Sequence, residues 1–221
     1  MLKPDGRSNR LAARNETMMN ATNLATEIKQ LFRDVLTEFI LHPADLKVST
    51  IQMARAIAIS TEAHAGDVAR IIGERGAHFN ALKAIAVCMS RKYGISIDLA
   101  PVTEPRGGKA DRYGNFKHNQ NWPKERILAL LGRLADKVFQ FESAVEITSE
   151  DAGNVTVFRI AVDQAEKKFI TDTADAAFKI LLNAIGKANG RTLMCEILPE
   201  REHEPHQPKT ARGRFTGEVQ R

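Results

Sequence analysis

The sequence predicts an α+β protein made of two similar halves, and three observations support that class. Apolar residues recur at the spacing of an amphipathic helix in several segments, the first of them between Leu24 and Phe39. Short runs of β-branched residues alternate with other residues, as in half-buried strands. The apolar stripe of the first helix returns 99 residues further on, Ile127 standing where Ile28 stood, which indicates an internal repeat.

The composition indicates a globular protein with a basic surface. The chain has 221 residues, a net charge of +5 and a pI near 9.3, which mildly favours a polyanionic partner. No apolar run reaches the length of a membrane span and the N-terminus lacks a signal sequence, so we expect a soluble, cytoplasmic protein without membrane contact. Cys88 and Cys195 have no CxxC spacing and are expected to be buried thiols in a reducing compartment.

The first half is predicted to begin with a flexible basic arm, residues 1–16, because this segment has no apolar periodicity. A helix follows over about 21–41 and is ended by a His-Pro pair. Strands are expected at 46–51, 54–60 and 95–99, where small, β-branched and alternating residues occur. A hairpin followed by a helical crossover predicts a mixed three-stranded sheet with the helices on one face.

Two glycines, Gly73 and Gly76, enclose Glu74 and Arg75 between a short helix and a longer helix that follows. Asp67 is expected to cap the short helix or to stabilise it by its charge. The apolar residues at helical spacing are Val68, Ile71 and Ile72 before the glycines, and Phe79, Leu82, Ile85, Ala86 and Met89 after them. Glycine permits positive φ and removes the Cβ atoms that would keep another backbone at a distance. The amides that open the second helix favour an anion such as phosphate.

The order helix-strand-strand-helix-helix-strand, with Gly-Glu-Arg-Gly between its two consecutive helices, resembles a type II K-homology (KH) domain over about 80 residues. It is similar to the small bacterial KH proteins that bind RNA. More faintly, the chain resembles the divergent tandem KH proteins of jumbo phages, which are associated with the phage nucleus. The resemblance implies a KH domain at 17–101 whose loop clamps the backbone of about four nucleotides of single-stranded nucleic acid.

Eight residues on or beside the loop form the predicted RNA-binding site: Arg70, Ile72, Gly73, Glu74, Arg75, Gly76, His78 and Lys83. The cations are expected to meet phosphates, and His78 to stack on a base or to hydrogen-bond its edge. The first variable loop residue is often basic in the family but is Glu74 here, so Arg75 is expected to carry more of the phosphate contact. The residues expected to divide between the core and an apolar groove for bases are Ile57, Ile59, Val68, Ile71, Ile72 and Ala81. The alternative for the glycines is a helix C-cap and a tight turn without a ligand.

The second half repeats the element order without the loop. The predicted elements are a helix at 127–139, a hairpin of strands at 144–148 and 155–162, and a last strand at 193–197. About five residues are missing where the glycine loop should be, and Thr171 to Phe178 runs directly into a helix. We therefore predict a degenerate KH-like domain at 125–198, with a structural role or a different binding surface.

Basic and aromatic residues are interleaved in the linker predicted at 102–124, a composition suited to single-strand binding. The tail, 199–221, is expected to be disordered and contains an Arg-Gly-Arg similar to the arginine-glycine segments of RNA-binding proteins. The secondary RNA-binding residues are predicted to be Arg106, Lys109, Arg112, Tyr113, Lys117, Trp122, Arg212 and Arg214, with Lys124 and Arg126 as further cations. The alternative is a solvated linker whose Trp122 packs back on a domain.

These patterns predict a non-catalytic protein that binds single-stranded RNA, such as a messenger or small RNA. Single-stranded DNA stays open as a ligand, because no residue clearly reads the 2′-hydroxyl. The sequence has no Ser-His-Asp set, metal-ligand spacing or Walker loop, so no enzyme activity, metal or cofactor is expected. Another alternative is a structural protein whose KH-like folds assemble into a homo-oligomer, with nucleic acid incidental.

Overall fold

The α+β class is confirmed in the computed structural model, which describes residues 6–104, 123–139, 145–162 and 172–199. The first half contains α1 (Gly6–Thr37), β1 (Lys47–Met53), β2 (Ala56–Glu62), α2 (Ala65–Ile72), α3 (Ala77–Tyr93) and β3 (Ser96–Leu99). The second half contains α4 (Lys124–Val138), β4 (Glu146–Ala152), β5 (Val155–Val162), α5 (Asp172–Ala188) and β6 (Thr192–Pro199). Short 3-10 helices lie at Pro43–Asp45 and Glu74–Gly76. Within these residues, no helix combines the length and apolar character needed to cross a bilayer.

Each half folds its three strands into a mixed sheet. In the first sheet, β2 lies between β1 and β3, antiparallel to β1 and parallel to β3. In the second, β5 lies in the same way between β4 and β6. A parallel pair requires a crossover, which α2 and α3 provide between β2 and β3. The predicted hairpins and mixed sheets are confirmed, with strand ends shifted by a few residues.

The first helix begins earlier than the sequence indicates. α1 starts at Gly6, so residues 6–16, predicted to be a flexible arm, are helical, and the predicted helix start near Ala21 is wrong. The reason is local, because residues 11–19 are mostly good helix formers and no proline interrupts them. Apolar periodicity predicts a start near Ala21, whereas the backbone propensity of the preceding residues also favours a helix.

The helices lie between the two sheets and share one core. α1 and α3 pack on the first sheet, α4 and α5 pack on the second, and the two helical layers meet through α1 with α4 and α3 with α5. Inward residues of the central strands are fully buried, as Ile59 and Phe158 show. One continuous cluster of buried residues runs through both halves. Cys88 and Cys195 are buried and form no disulfide, as expected, and burial raises the pKa of Cys195 to about 12.

Ion pairs join α1 to α4 along their contact. The pairs are Glu27 with Lys137 at 2.7 Å, Asp34 with Arg133 at 2.6 Å, and Glu38 with Arg126 at 2.6 Å. The residue numbers rise on α1 as they fall on α4, so the two helices are antiparallel. Burial raises the pKa of Glu38 above its usual value, and the bond from Arg126 opposes this shift only in part. In these pairs every base lies on α4, and the acids lie on α1 or, in the case of Glu38, directly after its last residue.

The 99-residue offset of the repeat maps these pairs onto one another. It takes Glu27 to Arg126 and Glu38 to Lys137, so those two pairs are related by an approximate two-fold axis. The same offset takes Asp34 to Arg133, the residue with which it forms its ion pair. A second copy of α1 in place of α4 would therefore bring Asp34 against Asp34 and Glu27 against Glu38. Because like charges in contact are unfavourable, this surface favours the pairing of α1 with α4 over the pairing of α1 with a second α1.

We expect the substitution Arg133→Asp to lower the free energy of unfolding by about 1 kcal/mol, because it places two carboxylates together at a partly exposed contact. Adding Asp34→Arg reverses the pair and should recover most of the loss. Urea denaturation of the wild type, both single variants and the swap gives the coupling energy, expected at about 0.5–1 kcal/mol. Additive losses in the swapped protein would contradict a specific role for this pair.

Candidate nucleic-acid interface

Loop 73–76 joins the end of α2 to the start of α3. Gly73 has φ 75° and ψ 173°, a conformation that essentially only glycine adopts. Gly76 has φ 80° and ψ 13°, in the left-handed region, and Arg75 between them also has a positive φ of 52°. The amide of Gly76 donates to the carbonyl of Gly73 at 3.1 Å and closes the turn. Glu74 and Arg75 are consequently held outward and are exposed.

His78 folds back over this loop. Its Nδ1 lies 2.7 Å from the carbonyl oxygen of Arg70, and since a carbonyl only accepts, Nδ1 carries the proton. The ring also makes an edge contact with Phe39, with centroids 5.7 Å apart. A Cβ atom on Gly73 would lie 2.5 Å from the imidazole, so the ring occupies the space that glycine leaves. His78 therefore packs against the loop, and its contact with a base stays a prediction.

The N-terminus of α3 opens directly from the loop. Gly76 is the N-cap residue and has no side chain with which to bond the first amides. The first turn, from Ala77 to Asn80, contains no acidic residue. α3 has 17 residues, long enough for its N-terminus to carry a partial positive charge. Together with the exposed Arg75, this end of α3 suits a phosphate group.

The predicted cations differ in their surroundings. Arg70 is half-buried, and its Nε lies 3.8 Å from Oδ1 of Asp67, so the buried carboxylate balances part of its charge. Lys83 is exposed about two turns into α3, and its Nζ lies 4.9 Å from the centroid of the Phe79 ring. Arg75 stands at the tip of the loop. Of the three, it is the cation best placed to meet a ligand there.

Most of the apolar residues assigned to a core or a groove belong to the core. The fully buried ones are Ile57, Ile59, Ile71 and Ala81. Val68 is half-buried, whereas Ile72 is 39% exposed and directly precedes Gly73. Ile72 is thus the apolar side chain that the described surface presents next to the loop.

Asp67 does not cap α2. Its side chain is fully buried, and its two oxygens accept the backbone N–H groups of Leu41 and His42, each at 2.8 Å. The N-cap residue is His64, whose Nδ1 accepts an amide N–H two residues further on at 3.2 Å. The capping alternative is wrong, because the carboxylate turns inward to satisfy the backbone that leaves α1. Asp67 does lie in the first turn of α2, as the charge-stabilising alternative requires.

Asp67 also lies against two histidines that are 22 residues apart in the sequence. His42 Nδ1 is 3.0 Å from Asp67 Oδ2, and the ring centroids of His42 and His64 are 4.0 Å apart. One ligand atom from each of the three residues lies within 4.8 Å of the others. We call these residues the histidine cluster. Sequence analysis missed it, because its members come from two separate loops and a helix, and no local spacing signals their contact.

The secondary RNA-binding residues lie outside the described residues. The six of the linker fall within 105–122, and Arg212 and Arg214 fall within 200–221. Lys124 and Arg126, counted with the linker cations, belong to α4. Lys124 Nζ contacts Asp151 at 2.6 Å and Arg126 contacts Glu38, so both charges are engaged within the fold.

A comparison with protein-family models finds no match for the chain, and a comparison with curated proteins finds no significant match. The function of loop 73–76 must therefore be inferred from its own residues and geometry.

Proposed function

We propose that this chain binds single-stranded RNA at loop 73–76 and catalyses no reaction on it. In this proposal residues 17–101 act as a type II KH domain, and residues 125–198 act as a KH-like half without the loop. The observation that carries the proposal is the pair of positive-φ glycines that hold an exposed arginine at the open start of α3. The element order from α1 to β3 supports it.

Phosphates are expected to bind along the backbone of the loop. The glycines remove Cβ atoms from this surface, so a sugar-phosphate chain can approach the loop closely. The first amides of α3 and the Arg75 guanidinium then lie beside the phosphates. Glu74 repels them, which limits affinity and makes it depend strongly on Arg75.

Ile72 supplies the preference for single strands. Its exposed side chain offers an apolar surface on which an unstacked base can rest. A duplex keeps its base faces stacked and hidden, so it gains only the phosphate contacts. Single-stranded DNA is the closest competing ligand, because a clamp on the backbone does not require the 2′-hydroxyl.

The second half helps to hold α3, the helix that begins at the loop. α3 packs on the first sheet and also on α5, so the helix that presents the loop is held from two sides. A binding site built on a fixed helix loses less conformational freedom on binding. This arrangement explains how a KH-like half that has lost its own loop still contributes to binding.

We expect Arg75→Asp to weaken binding of single-stranded RNA at least tenfold, about 1.4 kcal/mol. The substitution reverses the exposed charge at the loop tip. Aspartate tolerates the positive φ of position 75 better than arginine does, so the loop should keep its shape. Fluorescence anisotropy with labelled single-stranded RNA, single-stranded DNA and duplex RNA, at two salt concentrations, measures the effect.

The matched control is Arg55→Asp in the exposed turn between β1 and β2, which changes the net charge equally. The carbonyl of Arg55 accepts from Ser96, just beyond the far end of α3, so this site lies about 25 Å from the loop. We expect its effect to be less than about twofold. Equal weakening by both variants would contradict a specific site at the loop.

Two other outcomes would favour a different binding segment or a different function. If Arg75→Asp binds normally but deletion of 105–122 or of 200–221 removes binding, those segments hold the RNA. If no strand binds and the chain forms an RNA-free oligomer, the assembly alternative is favoured. Its candidate contacts are Ile51 and Met53 on β1, which are 64% and 54% exposed.

A further inference from the structure

The histidine cluster has the chemistry of a metal site. Two imidazoles and a carboxylate lie together at the start of α2, and their ligand atoms are within 4.8 Å of one another. We infer that His42, His64 and Asp67 bind one divalent transition-metal ion of the zinc type. The inference is independent of RNA binding, because the cluster shares no residue with loop 73–76.

The ligand separations fit a zinc ion after a small movement. Zinc bonds to nitrogen and oxygen are about 2.0–2.1 Å long, so tetrahedral ligands lie roughly 3.3 Å apart. His42 Nδ1 and Asp67 Oδ2 are already 3.0 Å apart and now share a proton. An ion takes the place of that proton, and the ring proton of His42 moves to Nε2. The remaining adjustment, at most roughly 1.5 Å, falls on His64.

His64 is the ligand with freedom to move. It is half-buried, and its Nδ1 accepts only a 3.2 Å hydrogen bond from the Gly66 amide. Turning toward the ion breaks this N-cap bond, which costs about 1 kcal/mol. One coordinate bond to a transition metal more than offsets that cost.

Asp67 holds the site in place before an ion arrives. Its two oxygens accept backbone N–H groups at 2.8 Å, which fixes the position of the carboxylate, and a carboxylate has lone pairs left to bind an ion. The negative charge of Asp67 is also needed for binding, because the N-terminus of α2 is partly positive and would otherwise repel a cation. Arg70 approaches the other oxygen, Oδ1, so Oδ2 is the one that faces His42.

The ligand set selects the class of ion. Two imidazoles with one carboxylate suit zinc, nickel, copper or cobalt, whereas calcium and magnesium prefer oxygen ligands alone. The His42 side chain is 32% exposed, which leaves a path from solvent and room for water as a fourth ligand. A bound ion would join the chain after α1 to the start of α2, and so fix the helix whose other end enters loop 73–76.

Zinc titration of the full chain tests the inference, with no RNA present. Three histidines outside the described residues, His118, His203 and His206, are first replaced by alanine so that the linker and tail contribute no ligand. In this background we expect calorimetry at about pH 7.5 to give one zinc ion per chain and a higher Tm. Calcium and magnesium should give no heat.

The decisive variant is His64→Asn. Asparagine is a favoured N-cap residue, so α2 keeps its cap, but the imidazole ligand is lost. We expect zinc to bind at least tenfold more weakly while circular dichroism is unchanged, and His42→Gln should behave in the same way. Zinc binding that survives both substitutions would overturn the inference. So would binding that disappears in the background lacking the three outer histidines.

Discussion

Replacing Gly73 with alanine is expected to lower the free energy of unfolding by about 3 kcal/mol, because the new Cβ atom strains the backbone and also contacts His78. The backbone at this position, φ 75° and ψ 173°, is essentially closed to residues with a Cβ atom. The new Cβ would also lie 2.5 Å from the ring of His78, which is held by Arg70 and Phe39. Chemical denaturation of the pure variant measures the loss.

The second glycine of the loop provides the control. Gly76 has φ 80° and ψ 13°, a left-handed conformation that asparagine adopts with little strain. A Cβ there would approach only Asn80, at 3.6 Å. Gly76→Asn should therefore cost less than about 1 kcal/mol. Similar losses in both variants would contradict the inequivalence of the two glycines.

Both glycine variants also test the proposed function. Gly73→Ala is expected to weaken single-stranded RNA binding even in conditions where the variant stays folded, because the loop must move to relieve the contact with His78. Gly76→Asn keeps the fold but adds a side chain to the surface that meets the phosphates. Weakened binding by this well-folded variant is the result that a backbone clamp predicts.

Replacing Asp67 with alanine is expected to lower the free energy of unfolding by about 3 kcal/mol. The fully buried carboxylate accepts the amides of Leu41 and His42, and alanine would leave both without this partner. Each unsatisfied amide costs about 1–3 kcal/mol, with solvent reaching these half-buried positions in part. The expected consequence is a loosened connection between α1 and α2.

Urea denaturation in the presence of a chelator measures this effect without a contribution from bound metal. Asp45→Ala is the matched control, because Asp45 is an exposed aspartate in the 3-10 helix that follows α1. It should change stability by less than about 0.5 kcal/mol. A loss below about 1 kcal/mol for Asp67→Ala would show that water replaces the carboxylate at these amides.

Local sequence patterns and backbone preferences explain which features of this fold could be predicted. Ile57 and Ile59 were expected in the core or in an apolar groove, and both are buried on β2; Phe158 and Ile160 are buried at the same spacing on β5. The glycine at position 73 indicated a backbone that other residues cannot adopt, and its φ of 75° agrees. Such features depend on residues close in sequence, so their signal is present in a single chain.

Tertiary contacts gave Asp67 and His78 partners that no local pattern predicted. Asp67 stands where an N-cap aspartate is expected, yet backbone amides of Leu41 and His42 hold it instead. His78 follows the loop as a base-contacting residue would, yet a carbonyl of α2 and the Phe39 ring hold it. In both cases a polar group bonds to a partner that only the fold brings near.

The sequence by itself determined the α+β class, the two repeated halves, the hairpins and the glycine loop, because helical and strand periods and backbone preferences are properties of short segments. The tertiary structure alone decided the pairing of Asp34 with Arg133, the position of Asp67 and the meeting of His42 with His64. Those contacts join residues from 22 to 99 positions apart. Their geometry depends on how whole helices pack, and no short pattern encodes that packing.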